Sequence, residues 1–145
     1  MIHFFGQFHP AIVHFPVALL IAAMLFEVAS WLLKNPTLHH AGVWNLHLGA
    51  ISALVTTVLG WALAATMGME PELRPTLLLH RWLGTGSAVW AVICLYAWYR
   101  HWKTNNEGSI LVYRFTLLVG GALVGFTGHL GGLLVYGLDF YTWTF

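Results

Sequence analysis

The stretch GGALVGFTGHLGGLLVYG, residues 120–137, decides how this chain must fold. It is apolar enough for the interior of a membrane, carries seven glycines and contains a single histidine, His129. On a helix, four of the glycines fall on one stripe beside this histidine: Gly121, Gly125, Gly128 and Gly132. A stripe without side chains lets another helix or a flat ligand approach the backbone closely. An imidazole inside a lipid bilayer needs a polar or metal partner, and the rest of the chain must supply it.

The composition places the whole chain in a membrane. Of its 145 residues, 59% are hydrophobic and 8% are charged, and the mean hydropathy is +0.73. Because soluble domains carry about 25% charged residues, we expect an all-α integral membrane protein with a single domain. The net charge of +1 gives no basis for nucleic-acid binding. The single Cys94 excludes an internal disulfide and a multi-cysteine metal site, and no CxxCH motif for covalent haem attachment occurs.

Four apolar segments are long enough to cross a bilayer. They cover residues 11–33, 43–67, 76–99 and 110–136, with polar or proline-containing breaks between them. The short connections predict an antiparallel four-helix transmembrane bundle with both termini on the same side. No segment repeats convincingly, and the sequence leaves open a loose arrangement of two plus two helices in hairpins without showing it.

The basic residues predict the orientation of this bundle. Four lie at the connections on one side of the membrane and two lie on the other: Lys34, Arg100, Lys103 and Arg114, against Arg74 and Arg81. Because lysine and arginine accumulate on the cytoplasmic side, both termini are expected outside. We therefore expect a multi-pass protein of the bacterial inner membrane with periplasmic termini.

Histidine is the unusual residue here, because the nine histidines outnumber the lysines and arginines together. With this topology, His14, His80 and His129 lie in the outer halves of three spans, roughly 5–12 Å from one membrane face at 1.5 Å per residue. His9 lies nearer the same surface. Two imidazoles facing each other at one depth can ligate a haem iron, and histidine also binds zinc and copper. We expect a site at this level, with His80 or else His14 opposite His129.

The surrounding residues favour haem b over a bare metal ion. Gly84 follows His80 by about one helical turn, and with Gly121, Gly125 and Gly132 it would leave room for a porphyrin plane. Arg74 and Arg81 lie at the outer end, where a guanidinium group pairs well with a haem propionate. Four histidines suffice for one haem or for two, and copper or zinc is the alternative. The competing interpretation is that each histidine only hydrogen-bonds a neighbouring helix.

A second polar signal lies toward the inner face. Glu27 in the first span and His47 in the second lie at similar depth, and we expect them to pair. A carboxylate at that depth costs on the order of 2.5–3.5 kcal/mol unless it is partnered. We expect His39, His40 and His101 to lie in loops or at span ends, in contact with solvent or the membrane interface.

Three motifs together resemble a known family: HPAIVHFPVALL at 9–20, HRWLG at 80–84 and GHLGGLLVYG at 128–137. The family is a bacterial group of four-span predicted membrane proteins of unknown function, number 2231, and the resemblance covers nearly the whole chain. It implies that His9, His14, His80 and His129 are recurrent polar positions. Members are similar to haem-associated membrane modules and can occur with c-type cytochrome domains. The resemblance therefore implies a histidine site and leaves the activity open.

Three functions are compatible with these observations. The first is a b-type cytochrome-like electron-transfer subunit that exchanges electrons with quinol, a periplasmic cytochrome c or other membrane redox subunits. The second is a histidine-based copper or zinc membrane protein, although the scarcity of cysteine and methionine argues against a copper(I) pathway. The third is a structural or assembly subunit of a larger membrane complex. No nucleophile–base constellation or phosphate-binding loop indicates a stand-alone enzyme, and no catalytic residue is expected.

Overall fold

The structure is a computed structural model that describes residues 1–141, except for the side chains of residues 140 and 141. The helices, in chain order, are α1 Ile2–Gly6, α2 His9–Ile12, α3 His14–Leu33, α4 Pro36–Thr66, α5 Arg74–Thr104 and α6 Glu107–Tyr136. Short 3₁₀ turns cover Pro71–Leu73 and Leu138–Tyr141. The prediction of an all-α chain is confirmed over this range.

Within residues 1–141, four segments are long and apolar enough to cross a membrane: Ile2–Leu33, Pro36–Thr66, Pro71–Thr104 and Glu107–Tyr136. Large apolar side chains cover the outside of the bundle, where a bilayer would contact them. This confirms the prediction of a multi-pass membrane protein. α4 begins seven residues before the predicted second span, and α5 ends five residues after the predicted third span. The connections before α4 and after α5 are therefore shorter than expected.

The same two-residue turn closes both of these short connections. α3 ends where Lys34 takes the left-handed conformation, with φ 50°, and donates its N–H to the carbonyl of Ser30. α5 ends in the same way at Asn105, with φ 46°. An asparagine side chain then caps the next helix, Asn35 for α4 and Asn106 for α6. A left-handed residue followed by an asparagine N-cap ends one helix and begins the next within two residues.

These matching turns belong to a repeat of the whole helical hairpin. Lys34 and Asn105 lie 71 positions apart, as do Asn35 and Asn106. The two-plus-two arrangement that the sequence left open is therefore favoured by these matching positions. The sequence concealed the repeat because its two copies share turn conformations and buried positions, while few of their residues are identical.

The two hairpins pack into a ring in which α3 and α5 each contact both α4 and α6. Small side chains fill much of the core: Ala23, Ala50, Ala53, Ala88, Ala91 and Cys94. Small residues let helix backbones approach closely, which is how helices associate in lipid. The larger buried side chains include Leu46 of α4 and Leu117 of α6, again 71 positions apart. The close packing positions the ends of the helices, where the polar residues are found.

Candidate functional site

Two of the predicted ligands, His9 and His80, meet at one end of the bundle. Their ring centroids lie 6.2 Å apart and their ring planes are inclined by 78°. His9 begins α2, and His80 lies in the second turn of α5. They occupy equivalent positions in the two hairpins, because they too are 71 positions apart. The pair therefore lies between the two repeats.

Each of these rings is held by a hydrogen bond to a backbone carbonyl. Nδ1 of His9 donates to the carbonyl oxygen of Thr56 at 2.9 Å, and Nδ1 of His80 donates to that of Thr127 at 3.0 Å. A carbonyl oxygen can only accept, so Nδ1 carries the proton and Nε2 of the neutral ring keeps its lone pair. Metal-binding histidines are commonly oriented by such a bond. Both Nε2 atoms are therefore in the form that binds a metal.

Two glycines make room for the rings. A Cβ added to Gly60 would lie 2.8 Å from Cε1 of His9, and one added to Gly131 would lie 3.2 Å from Cε1 of His80. Both distances are shorter than ordinary contacts between carbon atoms, about 3.5–4.0 Å. Each imidazole thus lies against bare backbone of the helix that accepts its hydrogen bond.

The paired rings line a cavity of about 80 Å³, to which Arg81 and Thr56 also contribute. Nε of Arg81 and Oγ1 of Thr56 are buried without a hydrogen-bond partner in the part of the chain described. The Arg81 guanidinium lies 3.9 Å above the ring centroid of Trp61. Buried polar atoms normally find partners, so these two atoms mark the cavity as a place where a polar group could bind.

The structure does not bring His14 and His129 into this cavity, because both residues are exposed, on α3 and α6. On α6 the residues that line the cavity are Val124, Thr127 and Gly128, and His129 is not among them. The ring nearest to His80 is consequently that of His9. This differs from the expectation that His129 faces His80 or His14.

The residues predicted to contact the cofactor also separate into two groups. Arg81 and Gly84 line the cavity. The other four predicted contact residues are not in the cavity lining. Arg74 is exposed and donates to the carbonyl of Met69, and Gly121 packs against Met24. Gly125 has no atom within 4 Å of an added Cβ, and Gly132 is half-buried. The glycine stripe is therefore shared between helix packing and the cavity.

A second polar cluster lies at the opposite end of the bundle, around Glu27. Its side chain is 3% exposed, and its two oxygens accept from Nδ1 of His39 at 2.6 Å and from Nε of Arg114 at 2.9 Å. The predicted pair of Glu27 with His47 is wrong, since Nδ1 of His47 donates to the carbonyl of Val43 on its own helix. Because α4 begins at residue 36, His39 lies in its first turn and reaches Glu27, whereas His47 follows more than two turns later.

His39, His40 and His101 lie at span ends, which is one of the two positions expected for them. His39 and His40 belong to the start of α4, and His101 belongs to the last turn of α5. His39 and His101 are half-buried and His40 is exposed. The connections before α4 and after α5 are shorter than expected, so none of the three lies in a loop.

The residues described do not contain a group of three or more histidine, cysteine, aspartate or glutamate side chains placed to hold a metal ion. Any metal at these sites would therefore have two protein ligands from such residues. Two imidazoles are the number that a six-coordinate haem takes from its protein.

One sequence signal could have identified the pairing of His9 with His80. Each histidine is followed after 47 positions by a threonine and after 51 by a glycine, namely Thr56 and Gly60 in one half, and Thr127 and Gly131 in the other. The threonine supplies the carbonyl and the glycine supplies the space.

Four apolar helices, with paired imidazoles between two repeated hairpins, define a multi-pass α-helical membrane protein. The family model described as "Predicted membrane protein (DUF2231)" matches residues 7–142. The chain belongs to this family, as its motifs indicated. Comparison with curated proteins and with solved structures returned no match.

Proposed function

We propose that this chain is a b-type haem subunit for electron transfer, in which the Nε2 atoms of His9 and His80 would hold one haem. The separation of their rings carries the proposal. With a metal–nitrogen distance of about 2.0 Å and a ring nitrogen about 1.2 Å from its centroid, imidazoles on opposite sides of one ion have centroids about 6.4 Å apart. The distance between His9 and His80 is 6.2 Å.

The number of ligands favours haem over a bare ion. A zinc site takes three or four protein ligands, and residues 1–141 contain no group of three histidine, cysteine or carboxylate side chains that could hold one. A haem iron takes four nitrogens from its porphyrin and needs only axial ligands from the protein. Two histidines are therefore sufficient for haem and too few for a typical zinc centre.

The donor atoms fit haem, whereas the cavity is smaller than a haem needs. Ligand pockets usually measure about 300–1,000 Å³, and this cavity measures about 80 Å³. Gly84 and Gly128 at the cavity carry no side chain that would occupy the space beside the rings. Arg81, with its unpaired Nε, is suited to pair with a propionate, because a guanidinium binds carboxylates well.

When bound, haem supplies a one-electron couple. The chain's own contribution is to hold the imidazoles in one tautomer and to surround them with apolar side chains, which tune such a couple. The carbonyls of Thr56 and Thr127 fix the ring orientations. The proposed partners are quinol, a periplasmic cytochrome c or another membrane redox subunit.

We further propose that the bundle is antiparallel in the bacterial inner membrane with both termini periplasmic. The hydrogen bond from His9, early in the chain, to Thr56, near the end of α4, supports the antiparallel order. Arg81 lines the cavity and Arg114 pairs with Glu27, so neither is counted as a free basic residue at a helix end. The other basic residues at the helix ends favour one side by three to one: Lys34, Arg100 and Lys103, against Arg74. Because basic residues accumulate in the cytoplasm, the pair of His9 and His80 lies toward the periplasm.

The test is a reduced-minus-oxidised absorption spectrum, with pyridine haemochrome quantitation, of protein purified from haem-replete cells. We expect a Soret band, and we expect His9→Ala and His80→Ala each to remove the haem of this site. His14→Ala is the exposed control, and His129→Ala should also retain the haem. A colourless wild-type protein, or full haem content in His80→Ala, would refute the proposal. Stoichiometric copper or zinc without iron in elemental analysis would favour the alternative.

A further inference from the structure

A larger cavity, of about 220 Å³, lies between α3 and α6 around Glu27, and the proposed function makes no use of it. Seven of its nine lining side chains are apolar, and the other two are Glu27 and Arg114. Several of the apolar side chains are also exposed on the outside of the bundle: Trp31, Leu111, Phe115 and Leu118. A cavity with such walls opens sideways toward the acyl chains of a bilayer. We call it the lateral groove.

The polar residues of the lateral groove lie near one boundary of the hydrocarbon core. α6 has 30 residues, so it is about 45 Å long, whereas the hydrocarbon core is about 30 Å thick. A centred helix therefore extends about 7 Å beyond the core at each end. Arg114 lies about 10 Å from the first residue of α6. The ion pair of Arg114 with Glu27 is thus about 3 Å inside the boundary between hydrocarbon and headgroups.

The carboxylate of Glu27 is already fully engaged inside the protein. One oxygen accepts from Nε of Arg114 at 2.9 Å, and the other accepts from Nδ1 of His39 at 2.6 Å. His39 is outside the lining of the groove, and its ring lies beside those of Tyr113 and His101. The side chain of Glu27 is 3% exposed. Among its lining residues, the groove therefore offers a ligand no unbonded carboxylate oxygen.

The guanidinium of Arg114 keeps donors that the protein does not use. Among the described residues its only hydrogen bond is the one from Nε to Glu27, so the N–H groups of its two terminal nitrogens have no acceptor there. The side chain of Arg114 is 24% exposed, and its Cζ lies 5.8 Å from the ring centroid of Trp31. A guanidinium beside hydrocarbon is costly unless its donors are satisfied. An anionic acceptor in the lateral groove would satisfy them.

A phospholipid has both of the parts that this groove can bind. Its phosphate lies near the boundary where Arg114 lies, and a guanidinium binds phosphate oxygens through two parallel hydrogen bonds. The apolar part of the groove continues past Arg114 to Leu117 and Leu118, toward the middle of the membrane, and suits an acyl chain. Basic pockets between membrane helices bind lipid headgroups in this way. A quinol fits less well, because its hydroxyl groups donate and the lining carboxylate is already bonded.

We propose that the lateral groove binds one phospholipid, with the phosphate on Arg114 and an acyl chain between α3 and α6. Glu27 and Trp31 are positioning residues that hold the guanidinium at the groove. The bound lipid contacts one helix of each hairpin, so it stabilises the packing of the two hairpins against each other.

The experiment measures the binding of phosphatidylglycerol to the full chain in detergent. The rise in unfolding temperature with lipid concentration gives the affinity, and native mass spectrometry gives the number of lipids bound, which we expect to be one. Diacylglycerol with the same acyl chains is the control without a phosphate. We expect it to bind about 10–100-fold more weakly, because the charged hydrogen bonds to Arg114 are absent.

Two variants with matched controls locate the site. Arg114→Lys keeps a positive charge beside Glu27 and loses the paired donors, so phosphatidylglycerol should bind about tenfold more weakly. Its control is Arg100→Lys, at an exposed position near the same end of the bundle. Val28→Phe fills the groove and leaves both members of the ion pair in place, and it should also weaken binding. Its control is Leu25→Phe, at an exposed position of α3 outside the lining.

The outcomes decide between a phosphate site and other occupants. Equal affinities for phosphatidylglycerol and diacylglycerol would show that the groove takes acyl chains alone, and would overturn the proposal. Wild-type affinity in Arg114→Lys, or equal affinities in Val28→Phe and Leu25→Phe, would overturn the location. A long-chain benzoquinone that binds more tightly than phosphatidylglycerol would assign the groove to a quinone instead. Circular dichroism without lipid checks the fold of each variant, and if Arg114→Lys is unfolded, Val28→Phe decides the location.

Discussion

A methyl group added at Gly60 should disturb His9 more than the same change disturbs any other part of the candidate site. The added Cβ would lie 2.8 Å from Cε1 of His9, and carbon atoms in contact lie about 3.5–4.0 Å apart. The imidazole of His9 is held by its hydrogen bond to Thr56, so the ring cannot rotate freely away from the added Cβ. Gly60→Ala therefore tests whether the ring occupies the position described.

The magnitude follows from the geometry. The ring of His9 must move by about 0.7–1.2 Å to restore a normal contact of about 3.5–4.0 Å. That movement would break the 2.9 Å bond from Nδ1 to Thr56, at about 0.5–1.5 kcal/mol. Overpacking lowers stability by a further amount of about 1–3 kcal/mol, whereas the higher helix propensity of alanine raises it by about 1 kcal/mol. We expect the free energy of unfolding to fall by about 0.5–3.5 kcal/mol.

Two matched variants make this a graded series. At Gly131 the added Cβ would lie 3.2 Å from Cε1 of His80, and at Gly125 nothing lies within 4 Å. Gly131→Ala should lower stability by about 0–1 kcal/mol, because the ring of His80 need move by only a few tenths of an ångström. Gly125→Ala should stabilise by up to about 1 kcal/mol through helix propensity alone.

The assay is denaturant or thermal unfolding in a fixed detergent, followed by circular dichroism, with haem content measured on the same samples. The expected order of stability is Gly125→Ala, then Gly131→Ala, then Gly60→Ala. If Gly60→Ala is as stable as Gly125→Ala, then His9 does not lie against α4 as described. The haem content of Gly60→Ala should fall relative to that of Gly125→Ala.

Two further predictions use matched variants. Thr56→Val removes a hydroxyl that has no partner among the described residues, and it should leave the stability of the haem-free protein unchanged or raise it by up to about 1 kcal/mol. Thr127→Val removes a hydroxyl that donates to the carbonyl of Leu123 and lies 3.2 Å from Oγ of Ser87, and it should lower stability by about 0.5–1.5 kcal/mol. Equal unfolding midpoints for the two variants would contradict these hydrogen bonds. Glu27→Gln should lower the free energy of unfolding by about 2–4 kcal/mol. Breaking a fully buried ion pair costs roughly 3–5 kcal/mol, and the loss is smaller here because the side chain of Arg114 is 24% exposed. The exposed control Glu72→Gln should stay within about 0.5 kcal/mol of the wild type in the same unfolding measurement.

The sequence predicted the class of protein and part of the candidate site. Hydropathy and segment length determine whether a helix can cross a membrane, and both are visible in the sequence. The same is true of His9 and His80, because a histidine in an apolar run stands out. The depth of the histidines did not predict the pairing of the rings, because the rise of 1.5 Å per residue fixes the depth of a residue and leaves the rotation of its helix undetermined. The signal that could have predicted it is the threonine and glycine that follow each histidine at the same spacing. His129 lies at a suitable depth on a face of α6 that is exposed.

The errors near Glu27 have a local cause. Lys34 and Asn35 end α3 and begin α4 within two residues, a turn so short that it adds His39 to α4. Once the helix starts there, His39 and not His47 is level with Glu27. A turn that depends on one left-handed residue carries a weak sequence signal when that residue is lysine in place of glycine.

The sequence by itself determined that the chain crosses a membrane four times as helices, since an apolar segment in lipid must satisfy its backbone groups internally. Only the tertiary structure decided which histidines meet. The meeting of His9 with His80, and of His39 with His101, depends on how the helices are rotated and on where their backbones approach. Those features arise from contacts between residues far apart in the chain, such as the bond of each outer histidine to a carbonyl 47 positions later.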